Sequence, residues 1–153
     1  MDWAALLSTL AGALWEELDL RREEQSQTRF ANNMASVAGV HVPTVITSTR
    51  TVMVSQWIDG TPLNALPSES PVLRNAVRRM RDAYCKSMYT DGYFHADCHG
   101  GNLLSTPGDP RGDLCILDCG LMVEIEDHDA DALLRLTLHL AQRDYTKVHI
   151  RLN

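Results

Sequence analysis

Apolar positions near the start of the chain fall at helical spacing. Leu7, Leu10, Leu14 and Leu18 make one stripe, and the helical pattern continues through Glu23 and Glu24 to Phe30. Glu17, Asp19 and Glu23 stand on its outer face, where Glu17 precedes Arg21 by the four residues that favour an ion pair. The period then shortens. Val40-His41-Val42-Pro43 leads into Val45-Ile46-Thr47, and after Ser48-Thr49-Arg50 comes a second β-rich run over residues 52–58, which together predict a hairpin. Asp59-Gly60-Thr61-Pro62 breaks that run. A second long helix is predicted from Ser70, with Pro71 at its first position, Leu73, Val77, Met80 and Tyr84 on its core face, and Asp91-Gly92 at its end. Leu103-Leu104-Ser105 and Leu114-Cys115-Ile116-Leu117 flank a Pro/Gly/Asp-rich turn, so they predict another hairpin. A last helix is predicted over residues 127–138. This alternation of helices and hairpins predicts an α+β chain.

Between the second long helix and the second hairpin lies Tyr93-Phe94-His95-Ala96-Asp97-Cys98-His99-Gly100-Gly101-Asn102. Four residues separate Asp97 from Asn102, which is the H-x-D-x-x-x-x-N spacing of protein-kinase-like catalytic loops. Sixteen residues after Asn102, Asp118-Cys119-Gly120 occupies the place of their metal-binding Asp-x-Gly. The chemistry needs these residue types: a carboxylate to approach the attacking hydroxyl, and an amide oxygen with a second carboxylate to hold a metal against phosphates. A hairpin between Asn102 and Asp118 brings the two metal-ligand candidates together. The same string admits a second reading. His95, Asp97 and His99 alternate, and on a strand they would present three metal-ligating side chains to one side, as in a metal-dependent hydrolase. That reading leaves Asn102 and Asp118 idle.

Composition narrows the field. The 153 residues are 44% hydrophobic with a net charge of −6, which fits one globular unit and argues against nucleic acid as a partner. Arg74, Arg78, Arg79 and Arg81 are read as the solvated face of the second long helix. Cys85, Cys98, Cys115 and Cys119 form no C-x-x-C pair and are expected to be reduced thiols, Cys115 and Cys119 as small buried fillers. The apolar stretch over residues 3–15 is broken by Ser8, Thr9 and Gly12 and is too short to span a bilayer. No basic residue precedes Arg21, so residues 1–20 have the features of neither a secretory signal nor a transit peptide, and an intracellular setting is expected.

The motifs also resemble one family, the UbiB (aarF-domain) group of atypical protein-kinase-like proteins associated with quinone and prenyl-lipid metabolism. Its E-L-D-x-x-x-E-A matches Glu17-Leu18-Asp19 with Glu23, its W-[IV]-[DE]-G matches Trp57-Ile58-Asp59-Gly60, its F-H-A-D-x-H-P-G-N-[IL] matches residues 94–103, and its L-D-F-G matches residues 117–120. The resemblance implies a partial protein-kinase-like fold: small-lobe helix and hairpin over 1–58, hinge region over 59–69, large-lobe portion over 70–153. It implies ATP with Mg²⁺ or Mn²⁺, Asp97 as catalytic carboxylate, Glu23 as partner of a small-lobe lysine, and Asn102 and Asp118 as metal ligands. Gln56, Trp57 and Ile58 then run into the hinge, where backbone groups meet adenine. Glu17, Asp19, His95, His99, Gly101 and Gly120 are family signature positions. Features of the tail over 121–124 and 139–145 look most like the cyanobacterial and plastid branch, which implies a plastid or mitochondrial setting in a eukaryote and lipid or quinone-pathway proteins as partners.

This chain also departs from the pattern. Gly100 replaces the family proline, Cys119 the phenylalanine, and Gln56 the hinge glutamate. The only lysines, Lys86 and Lys147, lie downstream of Glu23, and the only glycine before Glu23 is Gly12. The resemblance therefore implies an internal slice of the domain, without a small-lobe lysine or a phosphate-covering loop, whose own turnover is expected to be negligible. A catalytically dead, pseudokinase-like binding module is the alternative.

Overall fold

The computed structural model describes residues 19–109 and 113–144. The leucine stripe from Leu7 to Leu18, Glu17, the tip of the second hairpin and the residues from Tyr145 on lie outside them.

Helix α1 (Leu20–Met34) begins at Asp19, whose extended backbone and carboxylate cap the first turn by accepting from the Arg21 N–H. Gln27, Phe30 and Met34 recur at i, i+3 and i+7 and are its buried residues. A buried amide needs a partner, and Gln27 Nε2 donates to the Pro43 carbonyl at 2.7 Å. That bond ties α1 to the chain between β1 (Val40–His41) and β2 (Val45–Ser48). The predicted hairpin forms from β2 and β3 (Met53–Ser55), antiparallel with an irregularity between Val45 and Thr47. It packs beside α1: the Leu20 N–H donates to the Arg50 carbonyl at 3.1 Å, and the Ser48 hydroxyl donates to the Glu24 carboxylate. Strand β3 ends at Ser55, shorter than the predicted run over 52–58, although the Gln56 N–H still donates to the Thr44 carbonyl at 2.8 Å in the register of the Val45–Ser55 pair.

A four-stranded sheet runs in the order β1, β7 (Leu114–Ile116), β6 (Leu103–Ser105), β4 (Thr61–Pro62). Its centre is the second predicted hairpin, β6 against β7, with all six positions buried. Continuous burial explains why these strands read as unbroken apolar runs, since both faces are covered. Leu114 is 0% exposed, and a leucine so placed contributes about 1.5–3 kcal/mol through burial. On one side β1 pairs parallel to β7, Val40 opposite Leu114. On the other, β4 (Thr61–Pro62) pairs with β6 from within the expected breaker, and Pro62, which has no N–H to give, sits at the sheet edge. Gly39, just before β1, adopts φ +79°, and a Cβ there would lie 2.6 Å from Arg79 Nε. Arg79 is thus not a solvated arginine. Its guanidinium packs over Gly39 and approaches the Asp113 carboxylate at 3.8 Å.

Helix α2 (Pro71–Tyr89) starts as predicted, with Ser70 accepting from the Val72 N–H and Pro71 in the first turn. Its inward stripe is Leu73, Ala76, Met80, Ala83 and Ser87, and the expected core residue Val77 is 49% exposed. The small residues Ala76 and Ala83 let the helix approach closely, which rotates the stripe away from Val77. Strand β5 (Tyr93–His95) pairs with β8 (Met122–Glu124), and α3 (Asp127–Ala141) follows. Phe30 and Met34 of α1, Ala76 and Ala83 of α2, and Leu103, Leu114, Ile116 and Cys119 make the common core. The α+β architecture is as expected.

Candidate functional site

Strand β5 delivers the catalytic-type loop to the surface. Its last residue, His95, is 2% exposed; its carbonyl accepts from the Tyr84 hydroxyl at 3.0 Å, and its Nδ1 accepts from the Asp97 N–H at 3.1 Å. One buried imidazole thereby fixes the backbone of Asp97 while the Asp97 side chain stays exposed. The next link is the Ala96 N–H, which donates to the Leu121 carbonyl at 2.9 Å and joins the loop to the chain after Asp118. His99 is exposed, and its Nδ1 accepts from the Gly101 N–H at 3.1 Å.

This geometry corrects the three-ligand strand reading of His95, Asp97 and His99. The strand ends at His95, the loop turns, and both histidine Nδ1 atoms serve backbone N–H groups. Among the described residues no cluster of three His, Cys, Asp or Glu side chains has metal-binding geometry.

Asn102 and Asp118 do meet. The Asn102 N–H donates to the His99 carbonyl at 2.9 Å, its carbonyl accepts from the Leu117 N–H at 2.8 Å, and its Nδ2 donates to Asp118 Oδ2 at 3.2 Å. The β6–β7 hairpin produces this contact by bringing the two residues back to the same end of the sheet. Asp118 has φ +56°, a left-handed backbone that costs an L-residue about 1–2 kcal/mol. Its Oδ1 accepts from the Gly120 N–H at 3.1 Å, and a Cβ on Gly120 would crowd that oxygen at 3.2 Å. Strain of this kind is tolerated where surrounding contacts over-determine the conformation, and it clusters at functional sites.

Asp97 and Asp118 line one open cleft together with Asp19, Glu23 and His95. Glu23 is half-buried; burial first, and the nearby Asp118 carboxylate second, push its carboxyl above the usual glutamate range. Asp19 is held down at about 2 by its hydrogen bond and ion pair with Arg21. The oxygen donors of Asn102 and Asp118 suit a hard divalent cation such as Mg²⁺ or Mn²⁺. Gln56, Trp57 and Ile58 do not line this cleft: Trp57 is 87% exposed, and Ile58 is buried against Leu104 and Cys115. Cys115 and Cys119 are both 0% exposed, as expected of fillers, and burial pushes the Cys119 thiol up to about 12. Gly100 lies against Asn64, whose N–H donates to its carbonyl at 3.4 Å.

Arg29, Tyr93 and Glu124 also line the cleft, a role that no motif in the sequence assigns to them. Arg22, Ser26 and Arg29 recur at i, i+4 and i+7 on the cleft side of α1, a polar stripe that spacing could have revealed. The partners of Arg29, which are Glu124 and Tyr93, come from distant strands that helical spacing does not specify.

Residues 1–151 match the ABC1 atypical kinase-like domain. The chain is 33% identical over 149 residues to "Protein ACTIVITY OF BC1 COMPLEX KINASE 3, chloroplastic" of Arabidopsis thaliana, covering 94% of this chain and 20% of that protein. It is 32% identical over 141 residues to "Probable protein kinase UbiB" of Vibrio cholerae, covering 88% of this chain and 26% of that protein. The fold resembles the Rio2 kinase of Chaetomium thermophilum, solved as an ADP/Mg²⁺–phosphoaspartate complex, with a TM-score of 0.54 and 16% identity over 93% of this chain and 43% of that one. The architecture is therefore a partial protein-kinase-like fold, and the chain spans about a quarter or less of the length of its curated relatives. With its catalytic-type loop and Asp-x-Gly turn at one cleft, this chain belongs to the ABC1 (UbiB) family of atypical kinase-like domains.

Proposed function

We propose that this chain carries the phosphate- and metal-handling part of an ATP-dependent atypical kinase or ATPase that works in quinone or prenyl-lipid metabolism, in a plastid where the organism has one. The observation that carries the reading is the Asn102–Asp118 contact at 3.2 Å, with Asp118 and Asp97 lining one cleft. Asn102 and Asp118 would hold Mg²⁺ or Mn²⁺, which when bound neutralises charge on the nucleotide phosphates. Asp97, its backbone fixed by His95, accepts the proton of the attacking hydroxyl. Glu23 pairs with the small-lobe lysine that kinase-like domains place before this helix. Backbone groups of Gln56, Trp57 and Ile58, which lie outside the cleft of Asp97 and Asp118, would meet adenine beyond it, with residues 1–58, 59–69 and 70–153 as small-lobe part, hinge region and large-lobe part. The chloroplastic name of the Arabidopsis relative supports the plastid setting, and among the described residues no helix is long and apolar enough to cross a membrane.

Mn²⁺ titration in the presence of ADP, followed by the paramagnetic signal of free Mn²⁺, tests the metal assignment. Binding by the 153-residue chain that is lost in Asp118→Ala and kept in His99→Ala supports it. Stoichiometric zinc that depends on His99 would overturn it.

A further inference from the structure

The Arg29 side chain is held from two directions. Its Nη1 and Nη2 donate to Glu124 Oε2 and Oε1 at 2.9 and 2.6 Å, a bidentate pair, and its guanidinium carbon lies 4.0 Å from the centre of the Tyr93 ring. Tyr93 and Glu124 face one another across the β5–β8 ladder, so one side chain of α1 grips a cross-strand pair. The pair is too exposed to be a large source of stability, at 46% for Arg29 and 63% for Glu124. Its place in the fold is more informative. Helix α1 carries Glu23 less than two turns before Arg29, and β8 begins shortly after Asp118-Cys119-Gly120. Arg29 therefore joins the two elements whose relative position sets how close Glu23 stands to Asp118.

We propose that Arg29 is a positioning residue that, through Glu124 and Tyr93, holds α1 against β8 and so sets the width of the cleft between Glu23 and Asp118. The link to nucleotide binding rests on the proposed function; the link between α1 and β8 does not. Because the pair is solvent-exposed, salt loosens it. A kinase-like domain built this way has a helix whose approach is governed by an ion pair at the rim of its cleft.

The test uses the 153-residue chain and its Arg29→Ala, Arg29→Lys and Arg29→Glu/Glu124→Arg variants, with amide hydrogen exchange and Mn²⁺–ADP binding as readouts. Arg29→Ala should speed exchange in α1 about 3–5-fold, relative to α3, and weaken Mn²⁺–ADP by a similar factor, the size expected when an exposed bidentate pair is lost. Arg29→Lys should fall between, and the charge-swapped pair should recover part of the loss. Raising salt from about 0.05 to about 0.5 M should speed α1 exchange in the native chain and not in Arg29→Ala. If Arg29→Ala leaves α1 exchange unchanged, or accelerates α1, α2 and α3 equally, the positioning role is wrong. If the native chain binds no Mn²⁺–ADP, the proposed function fails while exchange alone still decides the role of Arg29.

Discussion

Replacing Asp118 by asparagine separates the two things this residue does in the native state. Asparagine keeps an oxygen for the Gly120 N–H and fits the left-handed φ of +56° at least as well as aspartate; its amide nitrogen takes the place of Oδ2, and a flip of the Asn102 amide, which turns its own oxygen toward that nitrogen, keeps the second bond. It removes a negative charge that faces the half-buried Glu23 and contributes to raising that carboxyl above its ordinary range. Like-charge neighbours cost a few tenths of a kcal/mol when exposed, and more where one is partly desolvated, so Asp118→Asn should stabilise the chain by about 0.5–1 kcal/mol at pH 7. That corresponds to roughly 1–4 °C in Tm for a chain of this size. The sign follows from Glu23. Its folded pKa lies above the ordinary value of 4.5, so its ionisation costs native stability as pH rises through and beyond that value, and part of the cost disappears with Asp118. The gain should therefore fade in acid, where Glu23 is protonated in both forms. The assay is thermal or urea unfolding of both forms between about pH 4 and 8, without and with Mn²⁺–ADP. Native protein should gain Tm from Mn²⁺–ADP and the variant should not, so the more stable variant is the one that has lost its ligand. A loss of about 1 kcal/mol or more in Asp118→Asn at pH 7 would refute the charge argument.

Gly39→Ala should destabilise by about 1–3 kcal/mol in urea titrations, since it adds a Cβ at φ +79° into the Arg79 guanidinium; no change would show that Arg79 is not held there. Ser70→Ala should cost about 1 kcal/mol through loss of the α2 cap, read by the same titration. Under native conditions near pH 8, iodoacetamide should modify the exposed Cys85 and spare Cys119, whose thiol is buried and pushed up to about 12; mass spectrometry of the native chain checks this, and rapid Cys119 alkylation would contradict its burial. Cys119→Phe, which restores the family residue, should cost about 1–3 kcal/mol, because the cysteine fills its site at 0% exposure.

Local chemistry made much of this fold legible in the sequence. Ser70 and Pro71 announce α2, the Pro/Gly/Asp turn announces the β6–β7 hairpin, and the spacing of Asp97, Asn102 and Asp118 predicts a cleft that all but Asn102 line, with Asn102 bonded to Asp118. What escaped was decided by distant partners. Strands β1 and β4 have two residues each and exist because β7 and β6 lie beside them, and β8 is a strand because β5 offers a ladder. No local pattern of two or three residues specifies such a strand. Val77 faces solvent because the inward face of α2 follows its small residues, Ala76 and Ala83, rather than its most apolar ones. The strand reading of His95, Asp97 and His99 failed because alternation says nothing about where a strand stops. Arg29 and Glu124 lie 95 residues apart, so neither spacing nor periodicity could connect them.

The parallel pairing of Val40 with Leu114 bears on how the chain assembles during synthesis. The β6–β7 hairpin closes over a short loop as soon as it emerges, but β1, made long before, must wait for β7, which leaves the ribosome more than seventy residues later. Until then, Phe30 and Met34 of α1 lack the sheet side of their core. Glu23 and Asp118 therefore come together only after the most non-local contact in the sheet is made, and a nascent chain halted before residue 114 exposes an apolar helix face for chaperones to cover.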